Sequence, residues 1–264
     1  MNVPDTSRGR QRVTTAVGVI DRTVSILDAV KRGARTHAAV VRATGLSRTT
    51  AHRMLKSLEA HGMVEYVGGR GYHLGPRLLK LAAASLQEPS LRDIAHPALE
   101  RLTTATGESS QLFVASIDGR VCVDAVESSS ELRTIVPVGE ELPIWAGSAG
   151  KVFMAAMTST RAEQLIGASR PITPATPIGD RLRRQVAAAR RQGWASSAGE
   201  RQTGVGSVSA PVHGSRGEIV AVVSISGPTT RIRRVDAKRY APAVVAAARE
   251  IERALGVQHQ EDHG

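Results

Sequence analysis

Between Thr36 and Leu74 the apolar positions keep a helical period and then change to a strand-like pattern, with turn residues at each change. Ala51, Met54, Leu55 and Leu58 fall at i, i+3, i+4 and i+7, which is one face of an α-helix. The other face carries Arg48, Thr49, Thr50, His52, Arg53 and Lys56. Gly45-Leu46 ends a shorter helical pattern just before it, and Ser47 is placed to accept a backbone N–H bond from the new helix's first turn. Gly62 stops the helix. Met63 to Tyr66 and Tyr72 to Leu74 then predict a hairpin whose tip is Gly68-Gly69-Arg70-Gly71. Upstream, Ile20, Val24 and Leu27 predict one more helix with a buried stripe, and Arg22 lies on the same segment.

The order helix, tight corner, helix, hairpin is that of a winged helix-turn-helix. A major groove is wide enough to admit a helix, and basic and hydroxyl side chains on that helix reach phosphates and base edges. The candidate DNA-contacting residues are therefore Arg22, Ser47, Arg48, Thr49, Thr50, His52, Arg53 and Lys56, with Arg70 at the wing tip for a backbone or minor-groove contact.

Further along, Gly75-Pro76 opens a helical pattern with Leu78, Leu79 and Leu81 that runs to residue 88, a linker helix, and Pro89-Ser90 marks a domain boundary. Helices are predicted over 91–106, 148–157, 161–166, 179–192 and 235–255. Strands are predicted over 111–117, 121–126, 132–138, 206–211 and 219–226, the first two joined by the hairpin signal Asp118-Gly119. Hairpins with helices covering one side predict an α+β domain with an antiparallel sheet.

Composition adjusts this picture in three ways. A length of 264 residues suits two domains, and a hydrophobic content of 41% is enough for packed cores. The formal net charge is +11, and residues 1–75 hold twelve Lys and Arg against five Asp and Glu, a net +7 on the DNA-reading segment. Aromatic residues are only 3%, too few for a base-stacking platform for single strands, so duplex DNA is the expected partner. Arg8, Arg10 and Arg12 lie in a start without apolar period, and residues 1–18 are expected to be a flexible basic arm; 259–264 read as a polar tail. No run has the length of a signal core or a membrane span, so a cytoplasmic protein is expected.

Chemistry that would make an enzyme is missing from the pattern. Ala149-Gly150-Lys151 resembles the end of a phosphate loop, but that motif needs glycine at Trp145 and Ser or Thr at Val152. No serine sits in a G-x-S-x-G elbow. Cys122 is the only cysteine, expected in a strand core, and excludes a multi-thiolate metal site. His259 and His263 are four apart but belong to the tail. Neither cofactor nor metal is expected.

The ordered landmarks 44–50 (Thr-Gly-Leu-Ser-Arg-Thr-Thr), Tyr72-His73-Leu74-Gly75, Gly107-Glu108, Leu132-Arg133, Ala149-Gly150-Lys151, Arg191-Gln192-Gly193-Trp194, Ala210-Pro211-Val212 and Ser224 to Pro228 resemble those of the IclR family of bacterial transcription regulators. The resemblance covers nearly the whole chain. It implies a winged-helix domain over 19–75, a linker helix over 76–88 that helps it dimerise, and a GAF-like effector domain over 89–258. It also implies dimers or pairs of dimers on palindromic operators, repression or activation of nearby catabolic genes with repression the expected mode, and control by a small metabolite, an organic acid or aromatic catabolite.

By the same resemblance the effector site comprises Ser148 and Ala149 at a helix start, Ser197, Ser207, Ser224 and Ser226, with Thr134, Leu142 and Val205 lining the wall. Helix N-terminal N–H groups and hydroxyls suit an anion. The family's acid-binding members carry an aspartate at the position of Ser197 and a cysteine at that of Ser207, and their acidic cluster is reduced here to Glu200. The resemblance therefore implies a ligand different from theirs. An architectural DNA binder without effector, and an enzyme fused to a DNA-binding module, are the alternatives; the first leaves most of the chain without a role, and the second lacks a catalytic constellation.

Overall fold

The computed structural model describes residues 18–84, 90–117, 119–233 and 235–257. The chain divides into two compact units, Met1–Glu88 and Pro89–Gly264. The basic arm expected over 1–18 falls outside the described residues as far as 17, as do the last residues of the expected linker helix and the polar tail.

In the first unit, α1 (Gly18–Lys31), α2 (His37–Thr44) and α3 (Arg48–Ala60) precede the strands β1 (Val64–Val67) and β2 (Gly71–Leu74) and the helix α4 (Pro76–Ala84). Ile26, Val30, Val40, Leu55, Leu58 and Val64 form its core. The corner between α2 and α3 is built by two local devices. Gly45 takes the left-handed conformation at φ 70°, and the Ser47 hydroxyl accepts from the Thr50 N–H at 3.1 Å. Thr36 caps α2 in the same way, accepting from Ala39 N at 3.1 Å.

The wing is antiparallel, with Tyr66 opposite Tyr72 and their rings edge-to-face at 5.1 Å. It is tied to the helices where the Tyr72 N–H donates to the Arg35 carbonyl at 2.8 Å. A Cβ at the neighbouring Gly71 would sit 2.2 Å from that carbonyl, so the approach demands glycine.

One expectation for this unit is overturned. Ile20 and Val24 are 57% and 51% exposed, and α1 turns Ile26, Ala29 and Val30 inward instead. Position 26 is two residues on from 24, about 200° around the helix at 3.6 residues per turn, so a stripe through 20 and 24 faces away from one through 26 and 30. Only Leu27, half-buried, packs against the core as expected.

The second unit is an α+β domain around a six-stranded sheet in the order β5-β4-β3-β8-β7-β6, with every pairing antiparallel. Its strands are β3 (Ser109–Ala115), β4 (Gly119–Val126), β5 (Glu141–Pro143), β6 (Ala195–Ala198), β7 (Val205–His213) and β8 (Ile219–Pro228). Its helices are α5 (Leu91–Thr106), α6 (Ser148–Ala156), α7 (Ser159–Ala168), α8 (Gly179–Gln192) and α9 (Ala237–Ala254).

Helices cover both faces of the sheet rather than one. Leu112, Val208, Ala210, Val223 and Ile225 pack with α5 and α9, whereas Phe113, Cys122 and Val222 pack with α6, α7 and α8. Successive side chains of a strand point to opposite faces, and β8 is buried at nearly every position, so both faces require cover.

A second expectation also fails: 132–138 forms no strand. The outer side of β4 is already paired by β5, with Arg120 opposite Leu142, and its next bonds run between Cys122 and the Gly139-Glu140 backbone. Pro137 has no N–H to donate. Ile135 and Val138 are left exposed while Thr134 and Val136 turn inward. The short strands β5 and β6 were not anticipated; each has only three or four residues, too few to show a period.

Candidate functional sites

On α3 the inward positions Ala51, Leu55 and Leu58 are buried, and Ser47, Arg48, Thr49, His52, Arg53 and Lys56 are exposed; Thr50 is half-buried, its hydroxyl accepting from that of Ser47 at 2.8 Å. Arg70 is exposed at the wing tip and Arg22 on α1. The nine expected residues thus all belong to the first unit. Lys56 is bound to Glu59 at 3.0 Å, which raises its pKa; Arg48 and Arg53 have no such partner among the described residues. The edge contact of His37 with His52, ring centroids 5.9 Å apart, and the contact of the His37 ring with the Arg48 carbonyl at 3.2 Å fasten α2 to the first turns of α3.

In the second unit a cavity of about 30 Å³ opens on the α6 side of the sheet. The alternation of β7 and β8 creates its polar floor. Val208 and Ala210, Val223 and Ile225 point into the core beneath α5 and α9, so Ser207, Ser209, Ser224 and Ser226 point the other way. β6 adds Ser197 directly opposite Ser207. Ser197, Ser207, Ser148, Ser209 and Ser224 form a chain of hydroxyl bonds with successive spacings of 2.8, 2.6, 2.6 and 2.8 Å, and Ser226 donates to Gln111 Oε1 at 3.1 Å.

Of the residues that the resemblance implied, Leu142, Ser148, Ala149, Ser197, Val205, Ser207, Ser224 and Ser226 line this cavity, and Thr134 is buried but does not line it. Gln111, Phe113, Arg120, Val136, Gly147, Arg201 and Gln202 complete the lining and were not foreseen. The alternation in Ser207-Val208-Ser209-Ala210 and Ser224-Ile225-Ser226 was a signal in the sequence for a polar face opposite an apolar one. Nothing comparable marks Arg120 or Arg201.

The α6 N-terminus is held at the cavity by buried charge. Lys151, 1% exposed, donates to Glu200 Oε1 at 2.7 Å, Gln185 Oε1 at 2.8 Å and the Ser196 carbonyl at 2.6 Å. The second Glu200 oxygen accepts from the Gly147 N–H at 3.1 Å. Glu200 is therefore neutralised by Lys151 and occupied. Gly150 explains its own identity: a Cβ there would lie 1.8 Å from the Ile144 carbonyl, so the helix backbone rests directly on that segment.

Arg120 projects from β4, 3% exposed, with its guanidinium carbon 5.3 Å from the Phe113 ring centre. It donates to the Pro143 carbonyl, and its Nε is buried without a hydrogen-bond partner. Burial first, and the nearby Arg201 second, push its pKa down to about 9 against the opposing influence of Glu200, which leaves it a cation at neutral pH. Burial likewise lowers Arg201, offset by the exposed Glu140. Cys122 is a core residue whose thiol burial pushes up to about 12, so it is not a nucleophile.

Among the described residues no group of three or more His, Cys, Asp or Glu is placed to hold a metal ion, and no helix is long and apolar enough to cross a membrane.

Two family models match the chain: the IclR helix-turn-helix domain over residues 19–68 and the bacterial transcriptional regulator IclR C-terminal domain over 83–253. Among curated relatives, the transcriptional repressor IclR of Escherichia coli is 29% identical, with 80% of each chain covered. The acetate operon repressor of Salmonella typhimurium is 27% identical over 94% of this chain and 96% of its own. Among solved structures, an IclR homologue from Microbacterium hydrocarbonoxydans complexed with 4-hydroxybenzoate superposes with a TM-score of 0.77 at 25% identity, covering 90% of this chain and 99% of that one.

Proposed function

We propose how this chain, which belongs to the IclR family of bacterial transcriptional regulators, carries out regulation: α3 enters the major groove of an operator, and a small organic anion held in the cavity of the second unit alters operator affinity. The observation that carries the DNA half is the division of α3, with an apolar stripe in the core and Arg48, Thr49, His52 and Arg53 presented outward behind a capped corner. Arg70 supports a wing contact and Arg22 a phosphate contact from α1. The protein is a regulator and not an enzyme. We read it as a repressor, since relatives over most of its length are named repressors, and as acting in the cytoplasm, where its DNA would be.

For the ligand half, the homologue's complex with 4-hydroxybenzoate supports an organic acid as the class of effector. The cavity supplies hydroxyl donors, the α6 N-terminus and two guanidinium groups, all suited to a carboxylate. Self-association into dimers or pairs of dimers is supported by apolar residues left in the open: Val19, Ile20 and Val24 on α1, and Leu79 and Leu81 on α4.

The test is selection of duplexes from a random pool by the full chain, then titration of the selected duplex with and without each member of a panel of organic acids. An effector must bind one DNA-affinity state better than the other, and typical couplings change affinity roughly 5- to 150-fold. The expected result is one sequence motif with an effect in this range from at least one acid. Failure to enrich any motif overturns the DNA half; a motif indifferent to every acid overturns the ligand half.

A further inference from the structure

We propose that the cavity of the second unit is a receptor for a dianion, a compact dicarboxylate whose two ends pair with Arg120 and Arg201. This rests on the reading that the cavity holds the effector, and it goes further by assigning that effector's charge and shape.

The local balance of charge carries it. Lys151 and Glu200 cancel one another, and Glu200 is further committed to the Gly147 N–H. That leaves two guanidinium groups on the cavity wall, and neither has an ion-pair partner among the described residues. Arg120 is the more telling of the two. It is almost wholly buried and its Nε meets no acceptor, although interiors normally satisfy such groups. A buried cation is costly unless it is fully paired, Glu200 offsets Arg120 only in part, and two cations that repel each other are worse. The pair is positioned for an arriving negative charge.

Glu200 and Glu140 offset the two guanidinium groups without forming a salt bridge to either, so a monoanion would leave one of them without a direct ion pair, and a neutral ligand both. The two cations belong to separate elements: Arg120 is on β4, and Arg201 is in the connection from β6 to β7, with β3 and β8 intervening in the sheet. Two charges carried by separate elements can each meet a carboxylate of its own, which favours a dicarboxylate over one tetrahedral dianion. Between them lie the hydroxyls of Ser207, Ser224 and Ser226, able to donate or accept. The cavity of about 30 Å³ corresponds to two or three waters at about 10–15 Å³ each, which favours a short acid.

The experiment is titration calorimetry on the full chain with malonate, succinate and glutarate, the monoamide of each, inorganic phosphate, and the monoacids acetate, benzoate and 4-hydroxybenzoate. It is repeated on Arg120→Met, Arg201→Gln and Ser224→Ala. At least one dicarboxylate should bind about tenfold or more tightly than its own monoamide, and either arginine substitution should erase that difference. Without ligand, Arg120→Met should melt at a higher temperature than the wild type, because a buried charge that Glu200 offsets only in part has gone; an arginine that served only the fold would lower it.

A dicarboxylate and monoamide that bind equally, phosphate that binds more tightly than any dicarboxylate, or monoacids that bind where dicarboxylates do not, each overturn the dianion. If such binding is lost in Ser224→Ala, the cavity remains the effector site. Binding unchanged in all three variants places the ligand elsewhere and overturns both readings, as does a wild type that binds no acid at all.

Discussion

At the scale of single residues, the second unit is organised by which atoms tolerate no neighbour. Gly150 is the sharpest instance, since any Cβ there meets the backbone carbonyl of Ile144 rather than a movable side chain. Gly150→Ala should destabilise the protein by about 1–3 kcal/mol, at the upper end because backbone cannot step aside cheaply. Urea unfolding followed by circular dichroism reads this directly, and an unchanged midpoint would refute the close approach. The glycine in Ala149-Gly150-Lys151 is there for contact, and the lysine for a buried ion pair with Glu200. This accounts for a fragment that looks like a phosphate loop without completing the motif.

At the scale of elements, α3 and the β7–β8 pair follow the same rule with different periods. A helix of period 3.6 gives α3 an apolar side in the core and an exposed basic side; a strand of period two gives β7 and β8 an apolar face under α5 and α9 and a serine face on the cavity. For α3 this separates two arginines. Arg53→Ala should lower affinity for the selected operator by roughly 1–3 kcal/mol and relax preference at one base position if it reads a base edge, whereas Arg48→Ala, beside the cap, should weaken all duplexes alike. Anisotropy titrations against operator and scrambled duplex distinguish them. Wild-type behaviour of both variants on both duplexes would remove α3 as the reading helix. The cap, corner and wing were legible beforehand because each depends on neighbours within a few residues: Ser47 on Thr50, Gly45 on Val41. The buried side of α1 is not legible in the sequence because Ile20 and Val24 have a helical spacing that is correct for a face, and only the packing of α2 and α3 decides which face is inside.

At the scale of the whole molecule, charge and architecture divide the work between two units. The net +7 of residues 1–75 belongs to the DNA-reading unit, and binding to duplex DNA should fall with salt at a log-log slope of about −0.9 for each phosphate neutralised. Several phosphates per half-site are expected, so anisotropy between low and physiological salt should show a steep line; a flat one would mean that the basic excess does not face DNA.

What the sequence by itself determined is the set of features written in short-range patterns: the helix-turn-helix and its polar face, the hairpins, the antiparallel sheet, the alternation that produces a serine face, and the family. Tertiary structure alone decided which stripe of α1 is buried, that 139–143 rather than 132–138 completes the edge of β4, and that helices cover both faces of the sheet. It also decided that Arg120 and Arg201 meet at one cavity while Glu200 is already spent on Lys151. The physical reason is sequence separation. Periodicity and caps act over one or two turns, whereas the charge balance of a cavity is set by residues 31, 49 and 81 positions apart, at 120, 151, 200 and 201, whose proximity exists only once the sheet has formed.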